Sequence, residues 1–491
     1  MYTNTHSYPA GCFFKSLADI KDKKVTIHGL GLNGGGEACV RFFAHYGAFV
    51  TVTDMKSEED LAPTLASLRG DSSLDLSRTR FVLGKHELAD FEDADVVIKN
   101  PGIKYEGNKY LAAAKAIETD LSLFLSFTKA PVIAVTGSKG KSSTVSAIHY
   151  GLCQAGFEAY LGGNITVSPL TFLEKTNEKT PVVLELSSWQ LADLKGRGVL
   201  KPHITVLTKI VPDHQNWYHE MEAYVNDKKL IFADQGPEDY TLCMKNDSWG
   251  EMFAKETKAN VVWYGDTADV PVRITEAVVP GEHMKQNLTN AAIVMTLMGV
   301  PADKARDILA VYPGIAHRLE YFHSWTVPQG SSKQIEVRFY NDSAATVPDA
   351  VAAAIRSFKN APVLLAGGTD KGLEFIPFAD AAGEACAIYL LEGSGTDKLL
   401  PELEKRGISW NGPYASLDEM LTAFKADVTG ADETAVPALQ DALNKDATQQ
   451  ADDDMTQTLN VVFSPGATSF GMFQNEFDRG NQFKMKVTEL F

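Results

Sequence analysis

Short apolar runs rich in β-branched residues recur along the chain. Most close on glycine and are followed by a longer stretch with helical periodicity. In the first third they are Lys24–Gly31, Phe49–Asp54, Arg80–Gly84 and Ala94–Gly102. The middle third carries Pro131–Gly137, Pro181–Ser187, His203–Ile210 and Val261–Gly265, and the last third Ile335–Asp342, Ala361–Gly368, Cys386–Gly393 and Leu459–Gly466. Runs that stay apolar predict strands buried on both faces, and their alternation with helices predicts mostly parallel sheets. The expected fold class is α/β, with three domains in series, each a mostly parallel sheet with flanking helices. Breaks before Pro131 and at Pro313–Gly314 divide the 491 residues into 1–129, 130–316 and 317–491. Residues Asp427 to Asp454 are rich in Ala, Asp, Thr and Gln and read as a surface insertion.

Composition narrows the function. Acidic residues outnumber basic ones, 63 to 46, for a formal net charge of −17. That excludes a nucleic-acid binder relying on clustered Lys and Arg, and any anionic ligand must be held by local donors. Five cysteines, at 12, 39, 153, 243 and 386, show no metal-type spacing and read as reduced intracellular thiols. No apolar run reaches bilayer length, and Met1–Gly11 lacks the pattern of a signal peptide. A cytoplasmic protein without membrane or nucleic-acid partners is the expectation.

Ligands of parallel sheets bind beyond the carboxyl ends of strands, where these glycine turns lie. Pro131-Val-Ile-Ala-Val-Thr-Gly-Ser-Lys-Gly-Lys-Ser-Ser143 reads as a buried strand, a tight loop and a helix start. Gly137 and Gly140 would let backbone N–H groups converge on phosphate, Lys141 would reach the β- and γ-phosphates, and Ser142 would ligate Mg²⁺. The loop is shorter than the general Walker pattern, since Val135 stands where that pattern has glycine. Glu185 ends a second strand and Asp213-His214 follows a third, each placed to serve a metal, though either alone fits a helix start or a surface histidine equally well. Gly29-Leu-Gly-Leu-Asn-Gly34 after a strand, with Asp54 closing the next one, fits a dinucleotide fingerprint; alone it favours an NAD-dependent oxidoreductase.

Taken together these motifs resemble the Mur ligases, and among them the branch that adds D-glutamate. The phosphate loop Thr136–Ser143 has the short Mur form, and Glu185–Gln190 reads Glu-x-Ser-Ser-x-Gln. Asp213-His214 is followed by Tyr224-x-x-x-Lys228, and Gly162-Gly-Asn-Ile165, His317-Arg318-x-Glu320, Asn341-Asp-Ser343, Gly367–Gly372 and Ser464–Phe470 continue the series in order. The resemblance implies ATP-dependent ligation of D-glutamate to UDP-N-acetylmuramoyl-L-alanine through an acyl phosphate, a cytoplasmic step of peptidoglycan synthesis, by a monomer using ATP and two Mg²⁺ ions. It implies a Rossmann-like UDP-binding domain, a central ATPase-like domain and a Rossmann-like C-terminal domain. Gly137, Ser138, Lys139, Gly140, Lys141, Ser142 and Ser143 would hold the ATP phosphates, with Arg318 on the γ-phosphate, Asp342 on the ribose and Asn287 on the adenine. Lys141, Glu185, His214 and Lys228 would be the catalytic set, and Ser142, Glu185, His214 and a carbamylated Lys228 would hold metal.

By the same resemblance the Gly29–Gly34 turn holds UDP rather than NAD, with Asn33 at the diphosphate and Asp54 and Lys56 at the uracil. Asn100, Gly102, Asn164, Ser187 and Gln190 would contact the rest of that substrate, and Thr346, Lys371, Ser469 and Phe477 would hold D-glutamate. The sequence departs from the family pattern at Asn100, Gln215-Asn216, Met284 and Ala344. A sister ligase adding another amino acid is the nearest rival, but its Asp-Asn-Pro-Arg acceptor signature is absent. Lys228 and Lys229 compete for the carbamylated position. Helical neighbours point about 100° apart, so one only can face the site, and counting one helical turn from Tyr224 selects Lys228.

Overall fold

The computed structural model describes residues 6–329, 333–430 and 456–491. The chain forms two compact units: Met1–Ile274 with Gln286–Leu309, and Thr275–Lys285 with Ala310–Phe491.

The first unit carries two sheets. Strands β1 (Lys24–His28), β2 (Phe49–Asp54), β3 (Thr79–Leu83), β4 (Val96–Lys99) and β5 (Ile117–Glu118) form a parallel sheet in the order β3-β2-β1-β4-β5. Strands β6 (Val132–Thr136), β7 (Tyr160–Gly163), β8 (Val182–Glu185), β9 (Ile204–Leu207), β10 (Tyr240–Met244) and β11 (Asn260–Tyr264) form the second, in the order β11-β10-β9-β6-β8-β7. All its pairings are parallel as well. Apolar side chains of both sheets and their covering helices join one buried cluster; Phe124, on the helix Asp120–Phe127, meets Phe172 at 5.6 Å between ring centroids. This shared core makes one compact unit of the first two expected domains.

The second unit holds β12 (Glu320–Gln329), β13 (Lys333–Asn341), β14 (Val363–Gly367), β15 (Ala387–Leu391), β16 (Asn411–Tyr414) and β17 (Thr456–Phe463), in the order β12-β13-β17-β14-β15-β16. β12 is antiparallel to β13, whereas the other neighbours are parallel. Residues 275–285, which lie within the expected 130–316 domain, group by their contacts with this unit. Val278 is the tie: its N–H donates to the Ala310 carbonyl, and its own carbonyl accepts from the Tyr340 hydroxyl at 2.8 Å.

All twelve apolar runs are strands. β5, β7, β10, β12 and β16 were not among them. The expected insertion also begins too early. Asp427–Thr429 are the last turn of helix Leu417–Thr429, where Val428 is buried and Asp427 accepts a hydrogen bond from the Tyr389 hydroxyl. Its remaining expected span, beyond Gly430, lies outside the described residues. No helix among the described residues is long and apolar enough to cross a membrane.

Candidate active site

β6 lies between β9 and β8, buried along its whole length, and delivers the chain to the loop Gly137–Gly140. Both loop glycines are obligatory. Gly137 has φ +151° and a Cβ there would sit 1.9 Å from Thr208 Oγ1; Gly140 has φ +90° and its Cβ would sit 2.6 Å from Asn287 Oδ1. Asn287 is thereby placed beside the loop. The Ser138 and Lys139 N–H groups donate to the Lys209 carbonyl, so they are less available for phosphate than the glycine pattern implies. Helix Lys141–Ala155 starts at Gly140, and its first turn, with Lys141, Ser142 and Ser143, presents N–H groups without intrahelical acceptors.

Two lysines converge on this loop. Lys141 Nζ donates to the Gly137 and Ser138 carbonyls at 3.0 and 3.1 Å. Lys228 Nζ, arriving from helix Met221–Lys229, donates to the same Gly137 carbonyl at 2.8 Å and lies 4.4 Å from the Tyr224 ring centroid. Lys228 is 1% exposed. Burial, helped by the charge of Lys141, pushes its amine down to about 7. Burial also lowers Lys141, while Glu185 and Asp213 act the other way. Lys229 points elsewhere, to Glu256 Oε2 at 2.8 Å. Tyr224 shares a hydrogen bond with Ser138 Oγ at 3.1 Å, so the Tyr-x-x-x-Lys turn grips the loop twice.

Glu185 ends β8, buried. Its Oε1 accepts from Asn164 Nδ2 at 2.8 Å, and its Oε2 is buried with no hydrogen-bond partner. A buried carboxylate oxygen left bare beside a phosphate-type loop fits a hard, oxygen-seeking cation such as Mg²⁺, and the Ser142 hydroxyl opens the adjoining helix. His214 follows β9 with φ +51°, half exposed, its ring 5.0 Å from that of Trp189. No cluster of three or more His, Cys, Asp or Glu suited to a metal occurs among the described residues.

Within the same unit an open cleft is lined by Asn33, Asn100, Gly102, Asn164, Ser187 and Gln190. Six of the eight residues expected around the UDP substrate thus meet there. Asp54 and Lys56 do not line it. Asp54 Oδ2 accepts from the Gly31 N–H and Oδ1 from the Lys56 N–H, while Lys56 is exposed. Ser187 and Gln190 also form a capping box at the start of helix Ser188–Ala192, a structural duty the motif alone did not reveal. Lys99, Asp120 and Trp189 line the cleft unannounced. Lys99 precedes Asn100-Pro-Gly and Trp189 lies inside Glu185–Gln190, so adjacency to motifs was their only signal.

The second unit carries the rest. Asp342 is buried, accepting from Ser464 Oγ at 2.7 Å and the Leu319 N–H at 3.2 Å, and burial pushes its carboxyl up to about 7. Arg318 is exposed. Lys371 Nζ donates to Thr346 Oγ1 at 3.3 Å, so two residues expected at D-glutamate meet. Ser469 is buried, and the Phe477 ring is exposed and lies 5.4 Å from that of His317.

The models for the "Mur ligase MurD-like, N-terminal domain" and the "Mur ligase middle domain" match residues 23–121 and 135–300. A UDP-N-acetylmuramoylalanine–D-glutamate ligase of Treponema pallidum is 38% identical, over 97% of this chain and 99% of that protein. The chain belongs to the Mur ligase family. The same-named proteins of Borreliella burgdorferi strain B31 and Roseiflexus sp. are 36% and 32% identical, each over 96% of this chain and 99% of theirs. Among solved structures, a UDP-N-acetylmuramate–alanine ligase of Thermotoga maritima superposes with a TM-score of 0.51 at 17% identity, covering 95% of this chain and 99% of that one, a likeness of fold.

Family membership overturns the oxidoreductase reading of the Gly29–Gly34 turn. In this Mur ligase the β3-β2-β1-β4-β5 sheet has the dinucleotide-binding form, but the matched N-terminal family model is that of a ligase. Membership also implies ATP as a substrate, in keeping with the loop at Gly137–Ser143.

Proposed function

We propose that this Mur ligase joins D-glutamate to UDP-N-acetylmuramoyl-L-alanine at the expense of ATP, as a monomer in the cytoplasm. The observation that carries the reading is the Asn164–Glu185 hydrogen bond. Asn164 lines the cleft, Glu185 presents its bare oxygen near the phosphate loop, and their 2.8 Å contact couples an acceptor site to an ATP site.

The acceptor's terminal carboxylate attacks the γ-phosphorus, the bond to the β,γ-bridging oxygen breaks, and ADP leaves. The D-glutamate amine then attacks the acyl carbon, loses its proton, and phosphate departs. Positioning and charge neutralisation are what phosphoryl transfer asks of the protein. Lys141 and the first turn of its helix supply donors to the phosphates, and Asn287, beside the same loop, faces the nucleotide. Ser142 and Glu185 would hold one Mg²⁺, and His214 with carbamylated Lys228 a second; the ions supply charge neutralisation when bound. An amine pushed down to about 7 is largely neutral in mildly alkaline solution, the form that takes up CO₂. Asn33, Asn100, Gly102, Asn164, Ser187 and Gln190 orient the acceptor, with Asp54 and Lys56 toward its uracil. Lys371 and Thr346, with Ser469 and Phe477, receive D-glutamate.

The test is ADP release with UDP-N-acetylmuramoyl-L-alanine and Mg²⁺ across a panel of amino acids. Release is expected with D-glutamate and not with L-alanine or a diamino acid. Equal release with one of those would move the chain to a sister activity.

A further inference from the structure

We infer that Arg197 is a positioning residue that fixes the separation of the two walls of the acceptor cleft. The inference rests on the acceptor reading above. One wall, with Asn33 and Asn100, belongs to the first sheet; the other, with Ser187 and Gln190, to the second. Arg197 follows helix Ser188–Ala192, which carries Gln190, and is 2% exposed.

Its Nη1 pairs with Glu118 Oε2 at 3.0 Å and its Nη2 donates to the Ile117 carbonyl at 2.6 Å, so it grips β5 through two bonds. β5 pairs in register with β4, and β4 runs directly into Asn100. Nε donates back to the Asp193 carbonyl at 2.9 Å, and the guanidinium packs 4.2 Å from the Tyr8 ring centroid. A second buried link lies alongside. Lys99 Nζ meets Asp193 Oδ2 at 2.7 Å, and the Tyr8 hydroxyl donates to Asp193 Oδ1 at 3.2 Å.

Two ion pairs removed from water between two sheets are poor sources of stability, because desolvation offsets their attraction and apolar replacements serve as well. Their distinctive property is geometry: a planar guanidinium held by a carboxylate and a carbonyl tolerates little sliding. Neither Arg197 nor Glu118 lines the cleft, so their influence on a ligand passes through the placement of Asn100 and Gln190.

The test uses full-length Arg197→Met and the double variant Arg197→Met/Glu118→Met, which leaves no unpaired buried charge. The Michaelis constants for UDP-N-acetylmuramoyl-L-alanine and ATP are measured with the thermal midpoint. The acceptor constant is expected to rise about 10-fold or more in both, since small misplacements of binding groups are costly, with kcat and the ATP constant nearly unchanged. The double variant should recover part of the midpoint lost in the single one, since Glu118 also accepts from the Phe13 N–H and the Ser122 hydroxyl, without recovering acceptor binding. An unchanged acceptor constant in a folded variant overturns the inference. So does a parallel rise in both constants, or a failure of both variants to fold, which would assign the pair to stability alone. Wild-type enzyme that releases no acceptor-dependent ADP removes the functional reading itself, and this inference with it.

Discussion

At the scale of single residues, the adjacent lysines show what a sequence can decide. A helical turn is rigid, so Tyr224 fixes the direction of Lys228, whereas the loop from His214 allows either lysine. The hydrogen bond of Lys228 to Gly137 and the pairing of Lys229 with Glu256 give the two distinct surroundings. Lys228→Ala is expected to abolish ligation and to be partly restored by added short carboxylates, which would replace a carbamate. Lys229→Ala should be nearly silent, since its partly exposed ion pair contributes little. Steady-state ADP release checks both, and an inert Lys229→Ala enzyme with an active Lys228→Ala one would reverse the assignment. Asp342 carries a pH signature. Its folded value, about 7, lies above the ordinary 3.8, so the folded state holds the proton more tightly. The stability this contributes is full below 3.8 and is lost as pH rises toward 7. Asp342→Asn should therefore flatten the fall in thermal midpoint between about pH 5 and pH 7. A fall as steep as that of the wild type would show that other groups set it.

At the scale of elements, central strands were legible because burial on both faces leaves an uninterrupted apolar run. Four of the five that escaped are edge strands without that mark, and the fifth, β10, is central and buried. β5 is two residues long, β7 is Tyr-Leu-Gly-Gly, and β16 contains Pro413 at a sheet edge. β10 runs on into Lys245 rather than a glycine, and β12 is an antiparallel edge strand interspersed with His323 and Ser324. The phosphate loop was legible for the opposite reason, since few side chains tolerate its backbone. Gly140→Ala puts a methyl against Asn287 in a left-handed conformation. It is expected to lower ATP turnover by about 100-fold, as misplacement at a phosphate site does, while the acceptor still binds. Calorimetry with each ligand separates the two. Undiminished ATP binding would mean that the loop shifts without consequence.

At the scale of the whole molecule, the order of motifs along the chain carried the family, whereas the contacts that join its sheets were not legible. The common core of the first two sheets and the return of residues 275–285 to the third depend on contacts far apart in sequence. The net charge of −17 has a functional corollary. D-glutamate is itself an anion, so its capture depends on a few local cations rather than on the overall field. Lys371 is the one expected for this role. It is exposed, and its contact with Thr346 is long, so its removal should leave the thermal midpoint unchanged. A charge-assisted bond to a carboxylate is among the stronger polar contacts, and losing it should raise the D-glutamate Michaelis constant by about 10- to 100-fold. The ATP and acceptor constants should move little. Lys371→Ala kinetics with each substrate varied in turn provide the check. A rise shared equally by ATP and D-glutamate would place Lys371 on phosphate, and leave the glutamate carboxylates to Thr346 and Ser469.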